Sequence, residues 1–140
     1  MLKKIKGNIF NTSCQVLVNT VNCIGVMGKG IALECKLRFP GMFEKYKEFC
    51  EKKLIKPGSL QLWNSSKPWI LNFPTKMHWK DPSKIEYLEK GLDKFKNEYS
   101  KKNITSIAFP LLGASLGGLS EELVYKTMIK YLEPLNGIDI

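Results

Sequence analysis

The sequence of 140 residues predicts an α/β fold: a three-layer α/β/α sandwich built on a mixed, mostly parallel central sheet. Three observations carry this expectation. Strand-like and helix-like segments alternate along the chain, a pattern that places helices on both faces of a sheet. The run Val16-Leu17-Val18 is apolar and β-branched without interruption, as a strand covered on both faces requires. Two glycine-rich turns, residues 19–30 and 110–119, each fall between a predicted strand and a predicted helix. Ligands of such sheets bind beyond the C-terminal ends of the strands. Those two turns and residues 73–80 are therefore expected on one edge.

Taken in order, Leu2–Lys6 alternates as an exposed or edge strand, and Gln15–Val21 reads as the buried central strand. Residues 29–39 carry Ile31, Ala32, Leu33, Cys35 and Leu37 as a helical stripe, which Phe39-Pro40 interrupts. Gly41–Lys53 continues as a second helix with Met42, Phe43, Tyr46 and Phe49 on one face. After the turn at Pro57-Gly58 come two strands, Ser59–Trp63 and Trp69–Phe73, joined by the polar turn Asn64–Pro68. Asp81-Pro82-Ser83 opens a helix running to about Ser100, with Ser83 as its N-cap, Glu86 three residues on, and Ile85, Leu88, Leu92 and Phe95 inward. Ile104–Phe109 is a strand, Ser120 caps a helix over Glu121–Leu132, and Ile138–Ile140 begins a last strand. No repeat, low-complexity tract or linker divides the sequence, so residues 1–140 are expected to form a single domain.

Composition narrows the function. Hydrophobic residues are 44% and charged residues 25% of the chain, ordinary for a soluble domain. No apolar run approaches the roughly 20 residues of a membrane span, and MLKKIKGNIF lacks the apolar core of a signal peptide. A cytoplasmic location, no membrane partner and a monomer are expected. Cys14, Cys23, Cys35 and Cys50 form no C-x-x-C pair and His78 is the sole histidine. No metal and no cofactor is expected, and the thiols are read as buried and reduced. The net charge is +9, and every basic residue except Arg38 is lysine. Such a field attracts a polyanion without reading its sequence. A merely lysine-rich surface accounts for it equally well.

The turn at 19–30 leads from a strand into a helix N-terminus, where unpaired N–H groups and the helix dipole favour an anion. It is not a P-loop, because Gly28-Lys29 is followed by Gly30 rather than Ser or Thr. Nor does it carry the G-x-G-x-x-G spacing, since Leu33 stands at the third glycine position. Gly113-Ala114-Ser115-Leu116-Gly117-Gly118 forms a second such turn, and the pair can grip a diphosphate from two sides. Between them, Asn72-Phe73-Pro74-Thr75-Lys76-Met77-His78-Trp79 brings an amine, an imidazole and an indole to a strand end. Lys76 can neutralise phosphate or act as a nucleophile, and Trp79 can stack on a base. Phe73 and Trp79 are read equally well as core, and Lys76 and His78 as solvated.

These residues resemble the macrodomain family of ADP-ribose-binding modules. The likeness is strongest to the branch holding the DNA ADP-ribosyl glycohydrolase antitoxins and terminal ADP-ribose protein glycohydrolase. Three blocks carry it: residues 7–34 with VNTVN and GVMGKGIAL, residues 72–92 with NFPTKMHW, and residues 107–119 with IAFPLLGASLGGL. The resemblance implies a macrodomain-like fold and ADP-ribose as ligand. Asn8 and Ile9 would lie at the adenine, where many macrodomains have aspartate at the first position. Asn22 would hold the distal ribose, with Asn19 and Thr75 in the same ligand set. Gly25, Val26, Met27, Gly28, Lys29 and Gly30 would wrap that ribose and the diphosphate. Gly113, Ala114, Ser115, Leu116, Gly117 and Gly118 would close over the phosphates. Lys76 matches the lysine that acts on the anomeric carbon of the distal ribose, and His78 and Trp79 are expected to touch nucleic acid or substrate.

Two departures bear on substrate. Gly117 stands where the protein glycohydrolase has a catalytic aspartate and the DNA glycohydrolases have glycine. Ala114-Ser115 and Ser120-Glu121 replace the Cys-Gly and Asp-Trp usual in the DNA enzymes. The implied activity is release of ADP-ribose from a modified target, foremost a DNA base, with single-stranded DNA as a partner. The competing readings are hydrolysis of a glutamate-linked ester, deacetylation of O-acetyl-ADP-ribose, and a reader that binds ADP-ribose without catalysis.

Overall fold

Apolar and β-branched residues pair where the sequence concentrates them. The structure is a computed structural model that describes residues 1–114 and 117–140. Strand β1 (Val16–Val21) lies parallel to β3 (Trp69–Pro74), with Val16 opposite Trp69 and Asn19 opposite Asn72. β4 (Ile107–Ala108) is parallel to β1 on its other side, and β2 (Gln61–Trp63) is antiparallel to β3 at the edge. The order is β2-β3-β1-β4, a mixed and mostly parallel sheet. The side-chain period of two then divides the strands between two cores. Val16, Val18, Leu71 and Phe73 face α3 (Ile85–Glu98) and α4 (Glu121–Leu132), where Leu88, Leu92, Phe95, Val124 and Leu132 are buried. Leu17, Val21 and Ile70 face α1 (Gly30–Arg38) and α2 (Pro40–Glu51) through Cys35, Met42, Tyr46 and Cys50. Each fully buried leucine or isoleucine contributes about 1.5–3 kcal/mol. The expected three layers are present.

The local expectations are corrected in four places. Leu2–Lys6 is not a strand. Only Met1 and Lys3 bond across, Lys3 N–H to Ile140 O at 2.9 Å and Ile140 N–H to Met1 O at 2.9 Å. The C-terminal segment touches the sheet through one parallel bridge, Ser106 to Asp139. The strand expected over Ile104–Phe109 narrows to Ile107–Ala108 for the same reason: too little partner backbone runs beside it. Ser83 does not cap α3. The helix begins two residues later, at Ile85, with Lys84 in the cap position and no side-chain bond, because Ser83 is buried against Gly113 and Gly117. Ser120 does cap α4, accepting from Leu123 N–H at 3.3 Å.

All four cysteines are free thiols, with Cys23, Cys35 and Cys50 buried and Cys14 half-buried. Burial pushes Cys23 up to about 12, with the neighbouring Cys50 adding to it. Burial likewise pushes Cys35 up to about 12, opposed by Arg38. A thiol whose folded pKa is raised holds its proton more tightly in the folded chain. Its contribution to stability is complete below the unfolded value of 9.0 and is lost as pH climbs toward about 12. The guanidinium midpoint is therefore expected to fall between pH 9 and pH 11. Serine in place of both thiols removes that part of the fall.

Candidate functional site

The parallel pairing of β1 and β3 runs on past their C-terminal ends. Thr75 N–H donates to Val21 O at 2.9 Å and Cys23 N–H to Met77 O at 3.0 Å. The Cys23 thiol adds a bond to Lys76 O at 3.3 Å. Residues 22–30 and 75–80 are thereby fastened into one ledge. From the other side, the turn after β4 reaches the same edge, where Ser83 N–H donates to Gly117 O at 2.9 Å. The three segments expected on one edge are on it.

In the first loop Asn22 is buried and spends its carboxamide on its own turn. Its Oδ1 accepts from Ile24 N–H at 3.1 Å and Val26 N–H at 3.4 Å, and its Nδ2 donates to Val26 O at 2.8 Å. Asn19 lies beneath, wholly buried, in a row of amides that crosses three strands. Its Nδ2 donates to Asn72 Oδ1 at 3.0 Å, and Asn72 Nδ2 donates to Gln61 Oε1 at 3.0 Å. Met27 is buried over Asn19, with its sulfur 3.9 Å from Nδ2. Gly25 is buried against Lys47 and Cys50 of α2, while Val26, Gly28, Lys29 and Gly30 are exposed. Lys29 occupies the α1 cap position without a side-chain bond, and no acidic residue lies in the first turn. The first N–H groups of α1 thus face outward with an electropositive helix end behind them.

The second loop carries the amine. Thr75 is buried at its base. Lys76 is half-buried, its Nζ donating to Trp79 O at 3.3 Å, with a further contact of its own. His78 Nδ1 accepts from Lys80 N–H at 3.1 Å, and its ring lies 5.6 Å from that of Trp79. Trp79 is 48% exposed, with the Lys80 ammonium 5.2 Å over its ring. It is not a core residue. Phe73 is, at full burial.

The third loop is packed onto Ser83. A Cβ on Gly113 would stand 2.8 Å from Leu119 Cδ1 and 3.1 Å from Ser83 Cβ, and one on Gly117 would stand 2.4 Å from Ser83 Oγ. Ala114 is buried and Gly118 exposed. Ser115 and Leu116, expected in the ligand set, lie outside the described residues.

Asn8 and Ile9 stand apart from these bonds. Asn8 caps the short 3-10 turn Ile9–Asn11, accepting from Phe10 N–H at 2.9 Å, and Ile9 packs on the α1/α2 core. Sequence reasoning missed Tyr46 and Ser83 as parts of the site. Tyr46 reads as one more residue of an apolar helix face. Its hydroxyl was the available signal, because a buried tyrosine needs a partner for it.

The Macro domain family model matches residues 18–128. The DNA ADP-ribosyl glycohydrolase of Thermus aquaticus is 38% identical over all of this chain, which covers 40% of that protein. The macrodomain of Thermus aquaticus DarG superposes with a TM-score of 0.94 at 39% identity, over 99% of this chain and 95% of that one. Thermosipho africanus DarTG in complex with ADP-ribose superposes at 0.89 with 37% identity, over 95% of this chain and 39% of that one. The chain thus spans about 40% of the length of the DNA ADP-ribosyl glycohydrolases it matches.

Proposed function

The chain belongs to the Macro domain family, and from that premise we propose that it is an ADP-ribosyl glycohydrolase that releases ADP-ribose from a base of single-stranded DNA. The observation that carries this is the bonding of the Lys76 loop to the glycine-rich loop beyond β1 and β3. It joins the loop that carries the amine to the loop that leads into the N-terminus of α1. ADP-ribose offers a diphosphate for that end and for the turn at 113–118, and a distal ribose for Asn22 and the Lys76 amine. Fixing both ends of the ligand converts binding energy into orientation at the anomeric carbon. Cleavage of the glycosidic bond develops oxocarbenium character there. The unprotonated Lys76 amine bonds to that carbon as the carbon–base bond breaks and the base leaves with a proton; the adduct opens to an imine, which water hydrolyses to free ADP-ribose and the lysine amine. This reading draws support from the named activity of the relatives at 38–39% identity.

Two features favour DNA over a protein ester. A side chain at position 117 would collide with Ser83, its Cβ at 2.4 Å from Oγ. A carboxylate partner for the lysine, as in the protein enzyme of this branch, would require Ser83 to move aside. The ledge around the site also exposes Ile24, Val26, Met77 and Trp79 beside Lys29 and Lys80. Flat apolar surface with ammonium groups suits unstacked bases and their phosphates. His78 and Trp79 are the contacts we assign to the strand.

The test is a comparison of substrates. A single-stranded oligonucleotide carrying ADP-ribose on one base is expected to yield free ADP-ribose at least about a hundredfold faster than a glutamate-linked ADP-ribosyl protein. Faster release from the protein ester, or from O-acetyl-ADP-ribose, overturns the DNA assignment. Binding of ADP-ribose in calorimetry without release from any substrate makes the chain a reader.

A further inference from the structure

The hydroxyl of Tyr46 rises from the middle of α2, wholly buried, to the hinge of the glycine-rich loop. It donates to Asn22 O at 2.8 Å or to Asn22 Oδ1 at 2.8 Å. On the next turn of the same helix, Cys50 Cβ lies 3.6 Å from where a Cβ on Gly25 would stand. One helix face therefore holds the loop at two successive points, 22 and 25. The Asn22 oxygen has three donors around it: Tyr46 Oη, Ile24 N–H and Val26 N–H. Flipping this carboxamide would set its NH2 against the Ile24 and Val26 N–H groups and forfeit the bond that the Tyr46 hydroxyl can give to Oδ1. Its Nδ2 meets Val26 O with one N–H. The second N–H is left to donate to a ligand.

We infer that Tyr46 is a positioning residue for ligand capture: its hydroxyl fixes the rotamer and the polarity of the Asn22 carboxamide, so that the remaining N–H is presented to a ribose hydroxyl. The inference rests on the reading of Asn22 as an ADP-ribose contact. The role is distinct from filling the core, because the ring of a phenylalanine would pack there equally well and lack only the oxygen. Two of the three donors on the Asn22 oxygen belong to the loop itself and move with it. The hydroxyl is the donor anchored outside the loop, on a helix that the α1/α2 core holds in place.

The experiment is a double-mutant cycle on ADP-ribose affinity, read by calorimetry. Tyr46→Phe is expected to weaken binding about fivefold to tenfold and Asn22→Ala by tenfold or more, and the double variant is expected to match Asn22→Ala alone. Leu132→Ala, buried in the opposite layer, serves as a stability control: it lowers the melting temperature and leaves affinity within about twofold. Losses that multiply in the double variant, or a Tyr46→Phe protein that binds like the wild type, overturn the proposal. Should Tyr46→Phe fail to fold, the wild-type chain labelled with 15N-asparagine decides. The Asn22 NH2 protons, assigned by their loss in Asn22→Ala, are expected to exchange slowly and to shift on adding ADP-ribose. Exchange as fast as at exposed asparagines, or no shift on binding, overturns the assignment. A wild-type chain that does not bind ADP-ribose removes the functional reading itself, an outcome distinct from all of these.

Discussion

Lys76→Ala is expected to slow release of ADP-ribose from a modified oligonucleotide by roughly a thousandfold or more, as loss of a group that acts on the reacting carbon does. ADP-ribose itself should bind within about threefold of wild type, because the variant disturbs little besides the amine. The variant gives up the Lys76 Nζ bond to Trp79 O, but three bonds tie this loop to the glycine-rich one: Thr75 N–H to Val21 O, Met77 O from Cys23 N–H, and Lys76 O from the Cys23 thiol. None of these three uses the lysine side chain, so the ledge is expected to survive its loss. Lys76→Arg separates two roles. Arginine keeps the charge, but it is always protonated and is no nucleophile. If Lys76 only neutralises charge, the arginine variant retains turnover within about tenfold; if it bonds to the sugar carbon, the variant is as slow as alanine. Reduction with borohydride during turnover should then trap a covalent adduct on the wild type and on neither variant. Equal turnover by Lys76→Ala and wild type removes Lys76 from the mechanism.

The sheet and its edge were legible because they depend on pattern. A buried parallel strand must be apolar on both faces, and Val16–Val18 satisfies this. Glycine-rich segments between strands and helices fall at the C-terminal edge by topology alone. What the pattern hides is how a side chain divides its hydrogen bonds. Asn22 was expected as a ligand residue through resemblance, yet its three bonds to its own turn depend on a φ/ψ path that spacing does not encode. Ser83 has the residue type and spacing of a helix cap, with Glu86 three residues on. Tertiary packing overrides that signal: Ser83 is buried against Gly113 and Gly117, and its N–H goes to Gly117 O. Trp79 was left open between core and surface. Composition allowed it as core, whereas the strand has already ended at Pro74 and the chain runs along the surface when it reaches the indole.

The role of Ser83 explains the second large effect expected, at Gly113. This glycine has φ +71°, and a Cβ on it would meet Leu119 Cδ1 at 2.8 Å, Ser83 Cβ at 3.1 Å and Leu88 Cδ1 at 3.3 Å. Alanine there carries both the strain of a left-handed backbone and an overpacked contact, together about 2–4 kcal/mol. Leu88 belongs to the core of α3 and cannot yield without opening a gap beside Phe73. The turn is the softer party, and its movement carries Gly117 O away from Ser83 N–H, which unseats the loop expected to close over the phosphates. Gly113→Ala should therefore lower the melting temperature and also weaken ADP-ribose binding by about tenfold or more. Ser83→Gly removes the Cβ nearest the new methyl apart from Leu119, and should restore part of the affinity when combined with Gly113→Ala. If the loss came from backbone strain alone, Ser83→Gly would rescue nothing and the two changes would add. Recovery of binding without full recovery of stability would show that the fit of this turn against Ser83, more than the turn's own conformation, sets the closed edge of the cleft.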